Sequence, residues 1–464
     1  MNTIWRKELQ ECKEYFNGNP VLAHIMEGFR KKYASLGNVG GSVVLGKLSR
    51  EDIETLEGFF RKNYHGKKRV AISAKRLQEA IDKSRFSGIT SEELLRFYFH
   101  ENLISKREVR YDEEQRQEKA FADIGMQFTG KQAGYWLESV RKENGSAWQL
   151  LKRRYKADRF QMQELLKNVM NACEKLPYQE HKFEYLAVFA SRVTGNPHYF
   201  DEGSDGGILF YSLITWVCNN NLQTNSCGQP KESMEEKSIR QAVFPAIQKQ
   251  KIYLRAGILK DDISNYTTVY GIRAWKQNGD LHQGAEGFYK EGETMQVTLS
   301  VLAGWERVES IAGRLYIVEN PSVFGVLASQ AQGRYSCMCM NGQPKLASVL
   351  LMDKLARSGT SIYYAGDFDP EGLWIAQRLK NYYGEKLHFW HMDCACYGEV
   401  ISSRPISDRR LKLLERITDE ELTAAADKMK ELKRAGYQEG LLELYLQELE
   451  CLPGYNRDDD IRRL

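Results

Sequence analysis

Hydrophobic positions along this chain of 464 residues change their period from one segment to the next. Over Trp5 to Phe16 and Ala23 to Tyr33 the apolar residues recur at helical spacing, which gathers them on one helix face. Asn38-Val-Gly-Gly41 breaks the pattern and Val43 to Leu45 reads as a short strand. Ser49, with Asp52 three residues on, forms a capping pair that starts a helix over Ile53 to Asn63. Similar caps at Ser73 and Thr90-Ser91 predict strand, helix, glycine-containing break and helix over Val70 to Ile104. That order is compatible with a winged-helix module and equally with a plain helical bundle. Tyr111 to Lys119 is dominated by charge, as a solvated helix or a linker would be, whereas Trp136 to Met170, Phe183 to Val193 and Ile208 to Val217 read as packed helices.

Asn219 to Ser233 is polar and carries Gly228 and Pro230, the composition of a boundary. Beyond it, Ile239 to Gly257 looks helical, Thr267 to Trp275 alternates like a strand, Gln277 to Gly292 is loop-like, and Thr294 to Val301 starts another strand or helix. The period then changes again. Leu315 to Val318, Ile362 to Ala365 and the run from Leu387 toward Asp393 are continuously apolar, as strands buried on both faces of a parallel sheet are. A further strand ends near Asn341-Gly342, and Asp408 to Leu449 carries mixed charge at helical spacing, which suits a packing or dimerisation element. The expected class is α/β, with four segments: a basic, mainly helical region over 1–225, an intermediate DNA-binding-like segment over 234–310, an α/β domain over 311–400 and a helical element over 401–464.

Composition narrows the function classes. With 42% hydrophobic residues the chain can bury substantial cores. No uncharged apolar run is long enough to span a bilayer and Met1 to Asn19 is charged throughout, so no membrane partner or secretory signal is expected and a cytoplasmic location is. Nine cysteines, an odd number, fit reduced thiols. The formal charge of +4 is unevenly spread: residues 1–160 hold 31 Lys and Arg against 22 Asp and Glu, a surplus of +9, which leaves −5 for the rest. Clusters such as Lys67-Lys68-Arg69 and Lys152-Arg153-Arg154 could neutralise DNA phosphates, or form a merely solvated face.

Acidic residues stand where those apolar runs end. Glu319 closes the first, Asp367 and Asp369 follow the second, and Glu371, two residues further on, adds charge, which makes these four the candidate metal ligands. Ligands of open α/β sheets gather at the carboxyl ends of the strands, so these acids are expected to converge. A few carboxylates, with the remaining ligands supplied by water and substrate phosphate, suit Mg²⁺ or Mn²⁺ and hence phosphoryl transfer. In an extended segment Asp367 and Asp369 point the same way while Phe368 points inward; Pro370 and Gly372 permit a tight entry into a helix over Leu373 to Tyr383.

This ordered set, an isolated Glu after one strand and Asp-x-Asp after a later one, resembles the Toprim domain over roughly residues 311–400. The resemblance implies that Glu319 acts as general acid/base or metal ligand and that Asp367 and Asp369 bind Mg²⁺. Gly-Asp367-Phe-Asp369-Pro-Glu371-Gly, taken with Gly40-Gly41-Ser-Val-Val-Leu-Gly46 and Val193-Thr-Gly-Asn-Pro-His198, further resembles the Toprim nuclease subunits of type II Wadjet plasmid-defence systems over nearly the whole chain. What that family implies is a nuclease for double-stranded plasmid DNA, recruited by a condensin-like SMC–kleisin complex. A homodimer is expected, since cutting two strands symmetrically takes two sites.

Other residues carry competing readings. Tyr253, Tyr266, Tyr270 and Tyr289 could serve as nucleophiles of a covalent intermediate, but nothing singles one out, and water is the expected nucleophile. Arg334, Lys345, Lys354 and Arg378 could neutralise a phosphate. Asp393 could line the same edge or cap a helix. Cys337-Met-Cys339 and Cys394-Ala-Cys396 could hold zinc, although strand-buried thiols that simply pack are expected. A topoisomerase-like or primase-like nucleotidyltransferase would use the same acids, and a DNA-binding adaptor with an inactive Toprim fold would need one of the three acids replaced.

Overall fold

The computed structural model describes residues 3–100, 103–220, 243–261 and 263–453, so most of the polar boundary expected at 219–233 lies outside the described residues. Two compact units divide after Gln127. In the first, strand β1 (Ser42–Gly46) pairs antiparallel with β2 (Arg69–Ser73), setting Val43 opposite Ile72 and Leu45 opposite Val70. These side chains join Phe16, Ile25, Phe29, Leu56, Leu77 and Leu94 in one core. The predicted caps form: Ser49 with Asp52 and Thr90 with Glu93 are reciprocal capping boxes, and Ser73 accepts from the Arg76 amide. A third box, Ser105 with Glu108, opens the helix Lys106–Met126, which carries the charged segment.

The second unit begins with helices Gln132–Glu143, Ser146–Ala157 and Arg159–Cys173, followed by Leu186–Thr194, Asp205–Asn220 and Pro245–Arg255. A short parallel pair, β3 (Glu184–Tyr185) and β4 (Ile258–Leu259), joins two parts of this region. The remaining strands are β5 (Tyr266–Tyr270), β6 (Ile272–Lys276), β7 (Thr294–Thr298), β8 (Trp305–Ser310), β9 (Arg314–Val318), β10 (Ser336–Cys339), β11 (Ser361–Ala365), β12 (Leu387–Phe389), β13 (Ile401–Pro405) and β14 (Arg434–Gly436).

Six of them form one mixed sheet in the order β12-β11-β9-β10-β5-β7. The four expected strands, β9 to β12, are parallel. The sheet does not stop there, because β5 pairs antiparallel with β10 and β7 antiparallel with β5. Residues from both sides of the division expected at 310/311 thus share one hydrogen-bonded sheet, and one contiguous core runs from Phe244 to Leu449. The single strand expected over Thr267 to Trp275 is two, bent at Gly271, where φ is +74°. A Cβ there would stand 2.8 Å from Ile311 Cδ1 and 3.1 Å from the Tyr335 carbonyl oxygen, so a left-handed conformation and a close approach both call for glycine.

Three local expectations change. Helix Gln283–Glu291 occupies the segment read as loop, capped by His282, whose Nδ1 accepts from the Ala285 amide. Histidine lies outside the usual capping set, which hides this helix start. Cys394-Ala-Cys396 lies on a helix rather than a strand, because Asp393 accepts from the amides of Ala395 and Cys396 and starts Cys394–Glu399. The C-terminal element is not helical throughout: β14 pairs with β13, between the helices Glu420–Leu432 and Leu442–Glu450.

Candidate active site

The acids meet at the carboxyl edge of the parallel strands. β9 and β11 are hydrogen-bonded neighbours in a register that sets Val318 opposite Ala365, so the next residues, Glu319 and Gly366-Asp367, leave the sheet side by side. The Asp367 amide approaches Glu319 Oε2 at 3.4 Å. Burial and the neighbouring Asp367 carboxylate push the Glu319 carboxyl up to about 7, and burial likewise raises that of Asp367. Two carboxylates so placed share a strong preference for a proton or a cation.

Each of the three acids uses one oxygen on a backbone amide. Glu319 Oε2 meets the Asp367 amide, Asp367 Oδ1 accepts from the Gln438 amide at 3.0 Å, and Asp369 Oδ1 accepts from Gly372 at 2.7 Å. That last bond caps the helix Pro370–Tyr383 and holds Asp369 at its positive end. Phe368, between the two aspartates, is fully buried and pairs through its backbone with Gly436 of β14.

Two groups that the sequence did not single out complete the site. Gln438 is fully buried, and its Oε1 accepts from the amides of Glu319 and Asn320 at 3.2 and 3.1 Å. With its own amide on Asp367, it ties both acid-bearing turns together. Arg410 binds Asp369 Oδ2 through Nη2 at 2.5 Å and reaches the two Glu371 oxygens through Nε at 3.0 and 2.9 Å. This contact lowers the Glu371 carboxyl and raises the guanidinium. Asp367, predicted to grip an ion together with Asp369, is therefore beside Glu319, while Asp369 and Glu371 face a guanidinium.

Among the described residues no three His, Cys, Asp or Glu side chains stand close enough to hold a metal ion together. The Glu319 and Asp367 pair nevertheless fits a divalent cation, since Mg²⁺ is commonly held by one or two carboxylates with waters and phosphate oxygens completing its shell. The surroundings agree. The Tyr364 hydroxyl is fully buried and makes no hydrogen bond among the described residues. It and Glu319 Oε2 lie 3.1 and 3.2 Å from where a Cβ on Gly366 would sit. Gly366 thus keeps open a polar niche beside the carboxylate.

The cations considered as phosphate ligands have other partners. Arg378 donates to the Val243 carbonyl, Lys345 to that of Ser264, Lys354 to that of Trp305, and Arg334 to Gln332 and the Glu450 carbonyl. Tyr253 and Tyr289 are buried, and the Tyr270 hydroxyl accepts from the Gly333 amide. Cys337 and Cys339 are buried on β10. No helix among the described residues is long and apolar enough to cross a membrane.

Family comparison adds two matches. The model described as "Protein of unknown function N-terminus (DUF3323)" matches residues 39–274, just over half of the chain. The model described as "Protein of unknown function C-terminus (DUF2399)" matches residues 295–449, which contain Glu319, Asp367, Asp369, Arg410 and Gln438. No curated protein matches the chain. The chain belongs to the DUF3323 family and carries the DUF2399 C-terminal region behind it.

Proposed function

We propose that this protein is a divalent-cation-dependent endonuclease of Toprim type, cutting double-stranded plasmid DNA in a defence complex with a condensin-like SMC–kleisin partner, and working as a homodimer. The observation that carries the reading is the meeting of Glu319 and Asp367, two buried carboxylates, at the carboxyl edge of adjacent parallel strands. The pairing of N-terminal and C-terminal families in one chain agrees with the Wadjet-type architecture. The basic surplus of residues 1–160 supplies a surface for phosphate backbones.

Glu319 and Asp367 would hold a Mg²⁺ or Mn²⁺ ion, and Asp369 is within the same turn. A bound cation of this kind offsets negative charge on the phosphate and on the leaving oxygen. Glu319, whose Oε1 has no donor among the described residues, can orient a water and accept its proton. The Asp369 cap and the Gln438 bridge fix the two turns, so that the carboxylates meet the substrate without reorganising.

The test is cleavage of supercoiled plasmid with Mg²⁺ or Mn²⁺, alone and with the condensin-like partners, for wild type, Glu319→Ala and Asp367→Ala. Linear product in wild type that is lost in both variants is expected. Intact plasmid with every partner present would remove the nuclease reading in favour of nucleotidyl transfer or plain DNA binding.

A further inference from the structure

Arg410 stands on a one-turn helix, Asp408–Leu411, about forty residues beyond the acids it binds. Its contacts are unequal. Nε faces Glu371 alone, whereas Nη2 is shared between Glu371 Oε2 and Asp369 Oδ2. The guanidinium can therefore remain on Glu371 while giving up Asp369.

The oxygens of the three acids sort in the same way. Glu319 Oε2, Asp367 Oδ1 and Asp369 Oδ1 are each engaged by a backbone amide that belongs to the fold. Of the other three, Glu319 Oε1 and Asp367 Oδ2 have no donor among the described residues, and Asp369 Oδ2 has Arg410. The buried, unpartnered Tyr364 hydroxyl adds a polar group aimed at the Glu319 end of the cluster. Side-chain exposures of 34% for Arg410 and 23% for Asp369 leave the pair reachable by a hydrated ion.

We propose that Arg410 is a tethered counter-cation that competes with a divalent ion for Asp369 Oδ2. When the ion is held by Glu319 and Asp367, Asp369 joins it only after Arg410 has moved back onto Glu371. The Asp369 cap on Gly372 stays in place throughout. Glu371 is then the anchor of the displaced guanidinium rather than a ligand. Arg410 is a positioning residue: by coupling reciprocity, whatever it does to cation affinity the cation does to its hold on Asp369. This inference rests on the reading of the acids as a cation site.

The experiment measures Mn²⁺ binding to the full chain by electron paramagnetic resonance of the free ion, without DNA. It compares wild type, Arg410→Gln, Asp369→Asn and the double variant, with circular dichroism confirming the fold of each. Arg410→Gln is expected to bind Mn²⁺ about tenfold more tightly than wild type, and Arg410→Lys, which keeps the charge and loses the fork, to fall between. In the Asp369→Asn background the gain is expected to vanish, because the oxygen competed for is gone. Unchanged or weaker binding by folded Arg410→Gln and Arg410→Lys would overturn the proposal. So would a gain that persists undiminished without Asp369, which would mark a general charge effect. If wild type binds Mn²⁺ and Glu319→Gln does not, while Arg410→Gln shows no gain, only the competition falls. If no variant binds Mn²⁺, the cation-site reading falls with it.

Discussion

At the residue scale, Glu319 has the most to lose by ionising. Its carboxyl is raised from 4.5 to about 7 by burial and by Asp367. The folded state therefore holds a proton that the unfolded chain releases between those values. That contribution is fully present below about 4.5 and is lost as pH rises through about 7. Glu319→Gln removes the cost of burying the charge. Relative to this variant, wild type is expected to lose about 1–3 kcal/mol of stability between pH 4.5 and pH 8, as measured by urea denaturation at both. A difference independent of pH would show that Glu319 is already ionised in the folded apo protein. Saturating Mn²⁺ should abolish the loss, since a cation offsets the charge that burial penalises.

At the element scale, the segment β14 to Leu441 acts as a strap across the carboxyl edge of the sheet. Gly436 pairs with Phe368, and Gln438 joins the Glu319 turn to the Asp367 turn. Gln438→Ala leaves two turn amides without their acceptor and is expected to cost about 1–3 kcal/mol. Hydrogen exchange should then show faster amide exchange at Glu319 and Asn320, with little change in β1 and β2 of the other unit. This strap marks the limit of what the chain discloses to a reader of sequence. The acids were legible because each ends a continuous apolar run, and a buried parallel strand leaves no other pattern. The inward Phe368 followed from its place between two acids. Arg410 and Gln438 were not legible: they act across 41 and 71 residues, inside stretches of ordinary mixed polarity, and no period links them to their partners. Asp393 had two equally good readings, and its bonds to Ala395 and Cys396 select the cap. Strands β5 and β7 were only half visible, since an alternating pattern fixes a strand but not the sheet it will join.

At the scale of the whole molecule, compactness and family matches divide the chain differently. The compact units part after Gln127, whereas the first family match runs from 39 to 274 and so takes residues from both. The first unit has its own core from Leu9 to Leu103. Residues 1–127 expressed alone are expected to unfold cooperatively on heating and to bind duplex DNA with an affinity that falls steeply with salt. Failure to bind at low salt would move the DNA contact to the second unit.

The position of β5 has a consequence for how such a protein can be inherited. This strand belongs to the first family match, yet it lies inside the sheet of the second, with β10 on one side and β7 on the other. A gene broken between residues 276 and 293 would send β5 away with one product and leave an open strand position between two hydrogen-bonding edges in the other. Neither half could be traded for a foreign module without refilling that place. Separately made 128–279 and 280–464 fragments are accordingly expected to aggregate alone and to recover a soluble 1:1 complex when coexpressed, which size-exclusion chromatography would reveal.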